Sequence, residues 1–176
     1  MSEPLLPLIV EAEQLETVLD HEGLVIVHIS KPYRYAQFHV PGAVFVEGAH
    51  FVRVEKPVFG LLPDAQNFGR LLESLGISPH THVVCYDDEG GGWASRFLWT
   101  LDVAGHNDFS LLNGGLHAWQ ADGLPLVSGM PIRLNPPMTI AAEVQGGNLL
   151  AGGGLDQRRA AEKDRALLHD HCLVAH

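Results

Sequence analysis

The chain has 176 residues, of which 46% are hydrophobic, so it can bury the core of one domain and still carry additional residues. Its net charge of -10 at pH 7 argues against nucleic acid or an anionic membrane as a partner, because both attract proteins of the opposite sign. Two cysteines, Cys85 and Cys172, exclude a disulfide framework, and the first residues lack the cationic segment of a signal peptide. No apolar run reaches the ~18 residues that cross a bilayer. The sequence therefore predicts a cytoplasmic protein whose partners are small molecules or proteins.

Short apolar runs rich in β-branched residues alternate with helical patterns along the first part of the chain. The runs predict strands over residues 8–10, 24–29, 43–46, 82–86 and 109–112. Amphipathic helices are predicted over residues 12–21 and 63–76, a buried helix over 93–104 and a short helix over 116–121. The middle strands are apolar on both faces, as strands covered on both sides are. This alternation predicts an α/β fold with three layers, in which a parallel five-stranded sheet has helices on both faces.

The character of the chain changes after Pro125. Glycine and proline clusters interrupt every periodic pattern, and the helical segment near residues 155–168 has only a thin apolar face. We therefore expect one domain over residues 1–126, followed by a Gly/Pro-rich linker and a poorly packed tail over residues 127–176.

The most informative segment is residues 83–96 (VVCYDDEGGGWASR), in which a buried strand leads through a glycine-rich loop directly into a helix. The first N–H groups of a helix have no partner within the helix, and the helix dipole is positive at that end. A loop wrapped over this end directs several donors at one point and favours an anion there. We call this arrangement the anion cradle, and its predicted residues are Asp87, Asp88, Glu89, Gly90, Gly91, Gly92 and Trp93.

Three segments together resemble the rhodanese-like domains of sulfurtransferases. They are residues 83–96, residues 112–119 (LNGGLHAW) with the following GLP at 123–125, and residues 35–43 (YAQFHVPGA). The form YDDEGGGWA is similar in particular to the N-terminal, non-catalytic half of bacterial two-domain thiosulfate sulfurtransferases. The resemblance covers roughly residues 5–126 and implies the same three-layer fold.

The resemblance also implies where the chemistry of the family takes place. An active member has a cysteine in the cradle, whose thiolate attacks sulfane sulfur and holds it as a persulfide. Asp87 occupies that position in this chain, and an oxygen nucleophile cannot take part in persulfide exchange. The chain also departs from the family pattern at His28, where an aspartate is usual, and at Phe38, where a glycine is usual.

We therefore expect a domain without sulfurtransferase activity of its own, with no catalytic residue, cofactor or metal. Its expected partner is a catalytic rhodanese domain or a sulfur-relay protein, and small anions are further candidates. His39 is interpreted as a turn residue that fixes its loop by hydrogen bonding, and Arg96 as an ion-pair partner of the loop acids. Cys85, in an apolar strand, is interpreted as an inert core residue.

Two alternatives remain open at this point. The first is an active sulfurtransferase whose catalytic cysteine is Cys172 or comes from a separate domain, although Cys172 has neither a preceding strand nor a following helix in the sequence pattern. The second is a metal-dependent hydrolase that uses Asp87, Asp88 and Glu89. Divalent cations need several converging oxygen ligands, and three successive acids on one loop do not all point inward.

Overall fold

A computed structural model describes residues 4–130 and gives the bounds of each element. The strands are β1 (Ile9–Val10), β2 (Leu24–Ile29), β3 (Val44–Val46), β4 (Arg53–Glu55), β5 (Val58–Leu61), β6 (His82–Asp87) and β7 (Phe109–Leu112). The helices are α1 (Ala12–Glu16), α2 (Pro32–Gln37), α3 (Ala65–Ser74), α4 (Gly92–Val103) and α5 (Gly115–Ala121), with a 3-10 turn at Gly48–His50. Cys172 and the predicted tail from residue 131 onward lie outside the described residues.

Five strands form one parallel sheet in the order β1, β7, β6, β2, β3. The register places Val27 opposite Cys85 and Ile29 opposite Asp87, so β2 and β6 end side by side. The predicted parallel five-stranded sheet is confirmed. Because the carboxyl ends of parallel strands lie at one edge, the segments that follow β2, β3 and β6 meet there.

The sheet is buried on both faces, because alternate residues of each strand point to opposite sides. Val83 and Cys85 belong to the cluster that packs under α3 and α4, with Phe68 and Phe97. Their neighbours Val84 and Tyr86 belong to the cluster on the other face, with Leu15 of α1 and Trp119 of α5. The predicted helix layers on both faces of the sheet are therefore confirmed.

The local differences from the prediction have identifiable causes. The helix predicted over residues 12–21 ends at Glu16, where the Thr17 hydroxyl donates to the carbonyl oxygen of Gln14 at 2.8 Å. Serine and threonine hydroxyls that bond to a nearby carbonyl compete with continuation of a helix. Helix α2 and the antiparallel pair β4 and β5 were not predicted.

The chain just beyond the predicted domain boundary remains in contact with the fold. Val127 pairs with His39 in an antiparallel bridge, and the Gly129 N–H donates to the carbonyl oxygen of Ala36. These bonds attach residues 127–129 to the end of α2, and the boundary at residue 126 stays a prediction. Among residues 4–130, no helix has the length and apolar character to cross a membrane.

Candidate functional site

The candidate site lies where β6 ends and α4 begins. Asp87 is the last residue of β6 and is 1% exposed, and the loop from Asp88 to Gly91 leads directly into Gly92, the first residue of α4. The carboxyl edge of a parallel sheet is where open α/β folds place their ligand sites. The predicted strand, loop and helix therefore occur in the predicted order at that edge.

The carboxylate of Asp87 accepts hydrogen bonds from four backbone N–H groups. Its Oδ1 accepts from Glu89 at 3.0 Å and from Gly91 at 2.7 Å. Its Oδ2 accepts from Trp93 at 2.9 Å and from Ala94 at 3.0 Å. The last two donors belong to the first turn of α4, which has no intrahelical partner for them. The donors of the anion cradle thus converge on a carboxylate that belongs to the protein itself.

The conformation of the loop depends on glycine. Gly90 and Gly91 both have φ of 90°, which is in the left-handed region that other residues rarely adopt. Gly91 is also the residue that precedes α4, and because glycine has no side chain, the Asp87 carboxylate takes the place of a capping side chain there. Two successive left-handed residues turn the chain back over the helix end, and this brings the N–H groups of Glu89 and Gly91 onto Asp87.

A second close approach holds the base of the loop. Helix α5 starts beside the end of β6, and a Cβ on Gly115 would lie 2.5 Å from the carbonyl oxygen of Asp87. From the same helix, His117 Nε2 lies 3.1 Å from the carbonyl oxygen of Asp88. The LNGGLHAW segment thus contacts the start of the cradle loop, and Gly115 and His117 have a structural role there.

The three acids of the loop have different surroundings. Asp87 is buried, the Asp88 side chain is 10% exposed, and Glu89 is exposed. Asp88 Oδ2 lies 3.3 Å from Nε of Arg34 on α2, a cation that the sequence did not point to. The expectation that the three acids do not converge is in agreement with this geometry.

Arg96 and Trp93 point toward the β4–β5 hairpin and the turn after β3. Arg96 Nη2 donates to the carbonyl oxygen of Gly60 at 2.7 Å, and the ion pair of Arg96 with a loop acid stays a prediction. Its guanidinium also lies 4.5 Å from the ring centroid of Trp99. The Trp93 ring is 40% exposed and lies so close to Gly48 that a Cβ there would overlap it.

His39 has the geometry of a turn residue. Its Nδ1 lies 2.8 Å from the carbonyl oxygen of Tyr35, and its ring stacks on the Tyr35 ring at 3.8 Å. The Tyr35 hydroxyl donates to the carbonyl oxygen of Ala43, and the Tyr86 hydroxyl accepts from the Val40 N–H. These bonds fix the turn that carries His39.

His28 lies beside this turn and is the polar residue whose environment the sequence did not reveal. It is 0% exposed and stacks on Tyr86 with ring centroids 4.5 Å apart. Neither of its ring nitrogens has a hydrogen-bond partner among residues 4–130. Burial lowers the pKa of His28 to about 3, with a smaller lowering from His39 and an opposing effect of the Asp87 charge. His28 is therefore neutral at pH 7.

Cys85 lies two residues before Asp87 and is fully buried in the sheet. Burial raises the pKa of its thiol well above the ordinary value, and the charge of Asp87 raises it further. A protonated thiol is not a nucleophile. Cys85 is thus placed in the core, as its apolar strand predicts.

No group of three or more His, Cys, Asp or Glu side chains that could hold a metal ion occurs within residues 4–130. The Asp87 oxygens are engaged by backbone donors, and Asp88 is paired with Arg34. The other proposed nucleophile, Cys172, lies outside the part of the chain that the structure describes.

Comparison with known protein families matches residues 11–122 to the family described as Rhodanese-like domain. Among curated proteins, the chain is 42% identical over 135 residues to a thiosulfate sulfurtransferase of Pseudomonas aeruginosa. It is 40% identical over 136 residues to a thiosulfate sulfurtransferase of Azotobacter vinelandii. Each alignment covers 77% of this chain and 50% of the relative. The chain thus spans about half the length of these relatives.

Among solved structures, the fold is similar to that of SseA from Escherichia coli, which is described as a 3-mercaptopyruvate sulfotransferase. The TM-score is 0.62 at 28% sequence identity, and the match covers 70% of this chain and 52% of the other. The structural match therefore also extends over half of a longer protein.

Proposed function

The chain belongs to the family of rhodanese-like domains, and from that premise we propose that it is a sulfurtransferase-type domain that does not itself carry sulfur. In the proposed arrangement its role is to support a catalytic rhodanese domain or a sulfur-relay protein. The location in the cytoplasm and the absence of a cofactor stay predictions.

The observation that carries this proposal is the saturation of the cradle by Asp87. Sulfur transfer from thiosulfate requires a thiolate that attacks the outer sulfur, so that the S–S bond of thiosulfate breaks and sulfite leaves. A carboxylate oxygen forms no persulfide. Both oxygens of Asp87 are in addition held by backbone donors, two for each oxygen, and the one described cysteine nearby, Cys85, is buried in the sheet.

The proposed supporting role draws on the length relation. Two relatives named thiosulfate sulfurtransferase are each matched over half of their length by this chain. The half of these relatives that this chain matches corresponds to a domain whose cradle is occupied by Asp87. We therefore place the sulfur chemistry of a two-domain protein of this type in the half that this chain does not match. By the same reasoning, the proposed partner of this chain is a catalytic rhodanese domain or a sulfur-relay protein.

The test is incubation of the full chain with thiosulfate, followed by intact-mass measurement and treatment with cyanide. We expect no sulfur adduct on the wild type, and a full-length thiosulfate sulfurtransferase from Pseudomonas aeruginosa serves as the positive control. An adduct of one sulfur atom that cyanide removes would contradict the proposal.

If an adduct does form, two variants identify the cysteine that carries it. Loss of the adduct in Cys172→Ala with retention in Cys85→Ala would establish the alternative of an active sulfurtransferase that uses Cys172. Loss in Cys85→Ala alone would show that the buried thiol becomes accessible, in conflict with its position in the core.

A further inference from the structure

A chain of hydrogen bonds crosses the sheet at the edge where β6 and β7 begin, opposite to the cradle. His82, the first residue of β6, is buried. Its Nδ1 lies 2.5 Å from Asp108 Oδ1, and its Nε2 lies 2.7 Å from Ser110 Oγ of β7. Ser110 is also buried, and its hydroxyl donates to the carbonyl oxygen of Pro7 at 2.6 Å. We call these four residues, Asp108, His82, Ser110 and Pro7, the His82 relay.

The direction of each bond in the relay follows from what its atoms can donate. The carbonyl oxygen of Pro7 only accepts, so the single hydroxyl hydrogen of Ser110 is used there. Ser110 Oγ must therefore accept from His82 Nε2, which carries a hydrogen. The Asp108 carboxylate, whose side chain is 39% exposed, also only accepts, so Nδ1 carries a hydrogen as well. The three bonds together require the doubly protonated imidazolium form of His82.

Neutral His82 cannot make the same three bonds, because a neutral imidazole has one N–H group. The bond to a carboxylate is the stronger of the two ring bonds, so the remaining hydrogen is favoured on Nδ1, next to Asp108. Nε2 is then an acceptor, and the Ser110 hydroxyl can donate either to it or to Pro7. Loss of the proton therefore weakens the relay at its Ser110 end.

The residue at that end, Pro7, belongs to the segment that leads into β1. Strand β1 has two residues and lies at the side of the sheet, where it pairs with β7 alone. Before β1, the Leu111 N–H donates to the carbonyl oxygen of Leu8 at 2.8 Å, and Pro7 has no N–H to donate. Leu6 is buried in the core on this face of the sheet. The bond from Ser110 to Pro7 thus helps to hold the segment that places Leu6 in the core.

We propose that the His82 relay is a pH-sensitive latch, in which protonated His82 holds residues 5–8 against β7 and loss of that proton loosens them. The loosened segment withdraws Leu6 from the core and uncovers the side of β7. The latch uses none of the cradle residues, so it is independent of the proposed lack of sulfur transfer.

Other titratable groups lie beside the relay. His106 Nε2 lies 3.2 Å from the carbonyl oxygen of Asp108, and burial lowers the pKa of His106. The turn before β2 adjoins His82, whose N–H donates to the carbonyl oxygen of Gly23. That turn carries three exposed groups, Asp20, His21 and Glu22. Among all of these, Asp108 is the group bonded to the His82 ring.

The test follows His82 and the segment together by NMR spectroscopy of the 15N-labelled full chain. The pH is varied from about 5 to about 9, which includes the usual range of histidine titration. The 15N shifts of the ring nitrogens report the protonation of His82, and their absence in His82→Gln assigns them. The protection of the Leu111 N–H from hydrogen exchange reports the attachment of the segment.

We expect the two signals to change with one midpoint. The protection factor of the Leu111 N–H should fall about tenfold when His82 loses its proton, as for the loss of one buried hydrogen bond. In Ser110→Ala, which separates Pro7 from His82, His82 should still titrate while the protection of Leu111 is low and no longer follows it. The matched control is His80→Gln, because His80 is exposed and lies two residues before His82. It should leave both curves unchanged.

Three results would overturn the proposal. The first is a protection factor of Leu111 that stays constant while His82 titrates. The second is a His82 ring that keeps one protonation state over the whole pH range. The third is a fall in protection that persists in Ser110→Ala with the same midpoint, which would assign the effect to another titrating group.

Discussion

Asp87 and His28 lie at the ends of neighbouring strands, and the register places His28 opposite Tyr86, the residue before Asp87. Both side chains are buried and both can carry a charge. The carboxylate has four backbone donors, whereas neither nitrogen of the imidazole has a hydrogen-bond partner among residues 4–130. One polar group is therefore accommodated by hydrogen bonding and the other by staying neutral between aromatic rings.

The difference shows two solutions to the cost of burying a polar group. Backbone donors depend on the course of the chain and not on a particular neighbouring side chain, so the environment of Asp87 is fixed by its own loop. The neutral state of His28 depends instead on the pH of the solvent. The following changes separate the two solutions, from the largest expected effect to the smallest.

Replacement of Asp87 by alanine is expected to lower the free energy of unfolding by about 3 kcal/mol. Each hydrogen bond to a charged group contributes about 1.5 to 3 kcal/mol, and water replaces part of that at the exposed end of the loop. Chemical denaturation measures the change. The control is Asp88→Ala, which removes a partly exposed ion pair worth about 1 kcal/mol or less. Equal losses in the two variants would contradict the special environment of Asp87.

His28 is expected to make the protein less stable in mild acid. In the unfolded chain His28 binds a proton below its ordinary pKa of 6.5, whereas in the fold it does so only near 3. The unfolded state thus binds the extra proton between these values, and the stability falls as the pH falls. The contribution of His28 between pH 7 and pH 5 is about 2 kcal/mol.

The measurement is the free energy of unfolding at several pH values for the wild type and for His28→Leu. Subtraction of the two curves removes the other titrating groups, and the difference has its slope between pH 6.5 and 3. Two parallel curves would show that His28 has the same pKa in both states. Tyr86→Phe, which keeps the ring that stacks on His28, should leave the slope in place.

Replacement of Asp87 by cysteine tests whether the cradle favours any anion or only the native carboxylate. The same backbone donors would stabilise a thiolate, so its pKa should fall at least about one unit below the ~8.5 of a free thiol. The pH dependence of alkylation measures this pKa in a Cys172→Ala background. Ser74→Cys, exposed at the end of α3, supplies a reference thiol.

A thiol at position 87 that titrates like the one at position 74 would show that the donors do not converge on a sulfur atom. If the pKa is lowered as expected, the Asp87→Cys variant should also form a persulfide from thiosulfate, with release of sulfite. Mass measurement after incubation with thiosulfate detects it.

The sheet could be predicted because its strands are short apolar runs with clear boundaries, and residues 82–86 differ from β6 by a single residue. Helix α2 had a signal that was overlooked, since Pro32 stands at its first position, where proline is favoured. The β4–β5 hairpin had no sequence signal of the strength that strands usually show. Its strands are short and exposed, and they lack the strict alternation of a half-buried strand.

The cradle could be predicted from local sequence because every donor to Asp87 lies within seven residues of it. Contacts between distant segments could not. Arg34 reaches Asp88 only because β2 and β6 are neighbours in the sheet, and Arg96 of α4 reaches Gly60, which lies 36 residues earlier in the chain, only in the folded protein. The missing partner of His28 is likewise a property of packing, since the sequence around it reads as an ordinary buried strand.

The Asp87 carboxylate is, in effect, a ligand tethered to its own binding site. Even a flexible linker gives a tethered group an effective concentration of roughly millimolar, and a side chain with two rotatable bonds is far more confined than such a linker. A free oxyanion therefore has to displace a competitor that never diffuses away. By mass action, the Asp87 carboxylate therefore keeps solvent anions off the N–H groups of the cradle.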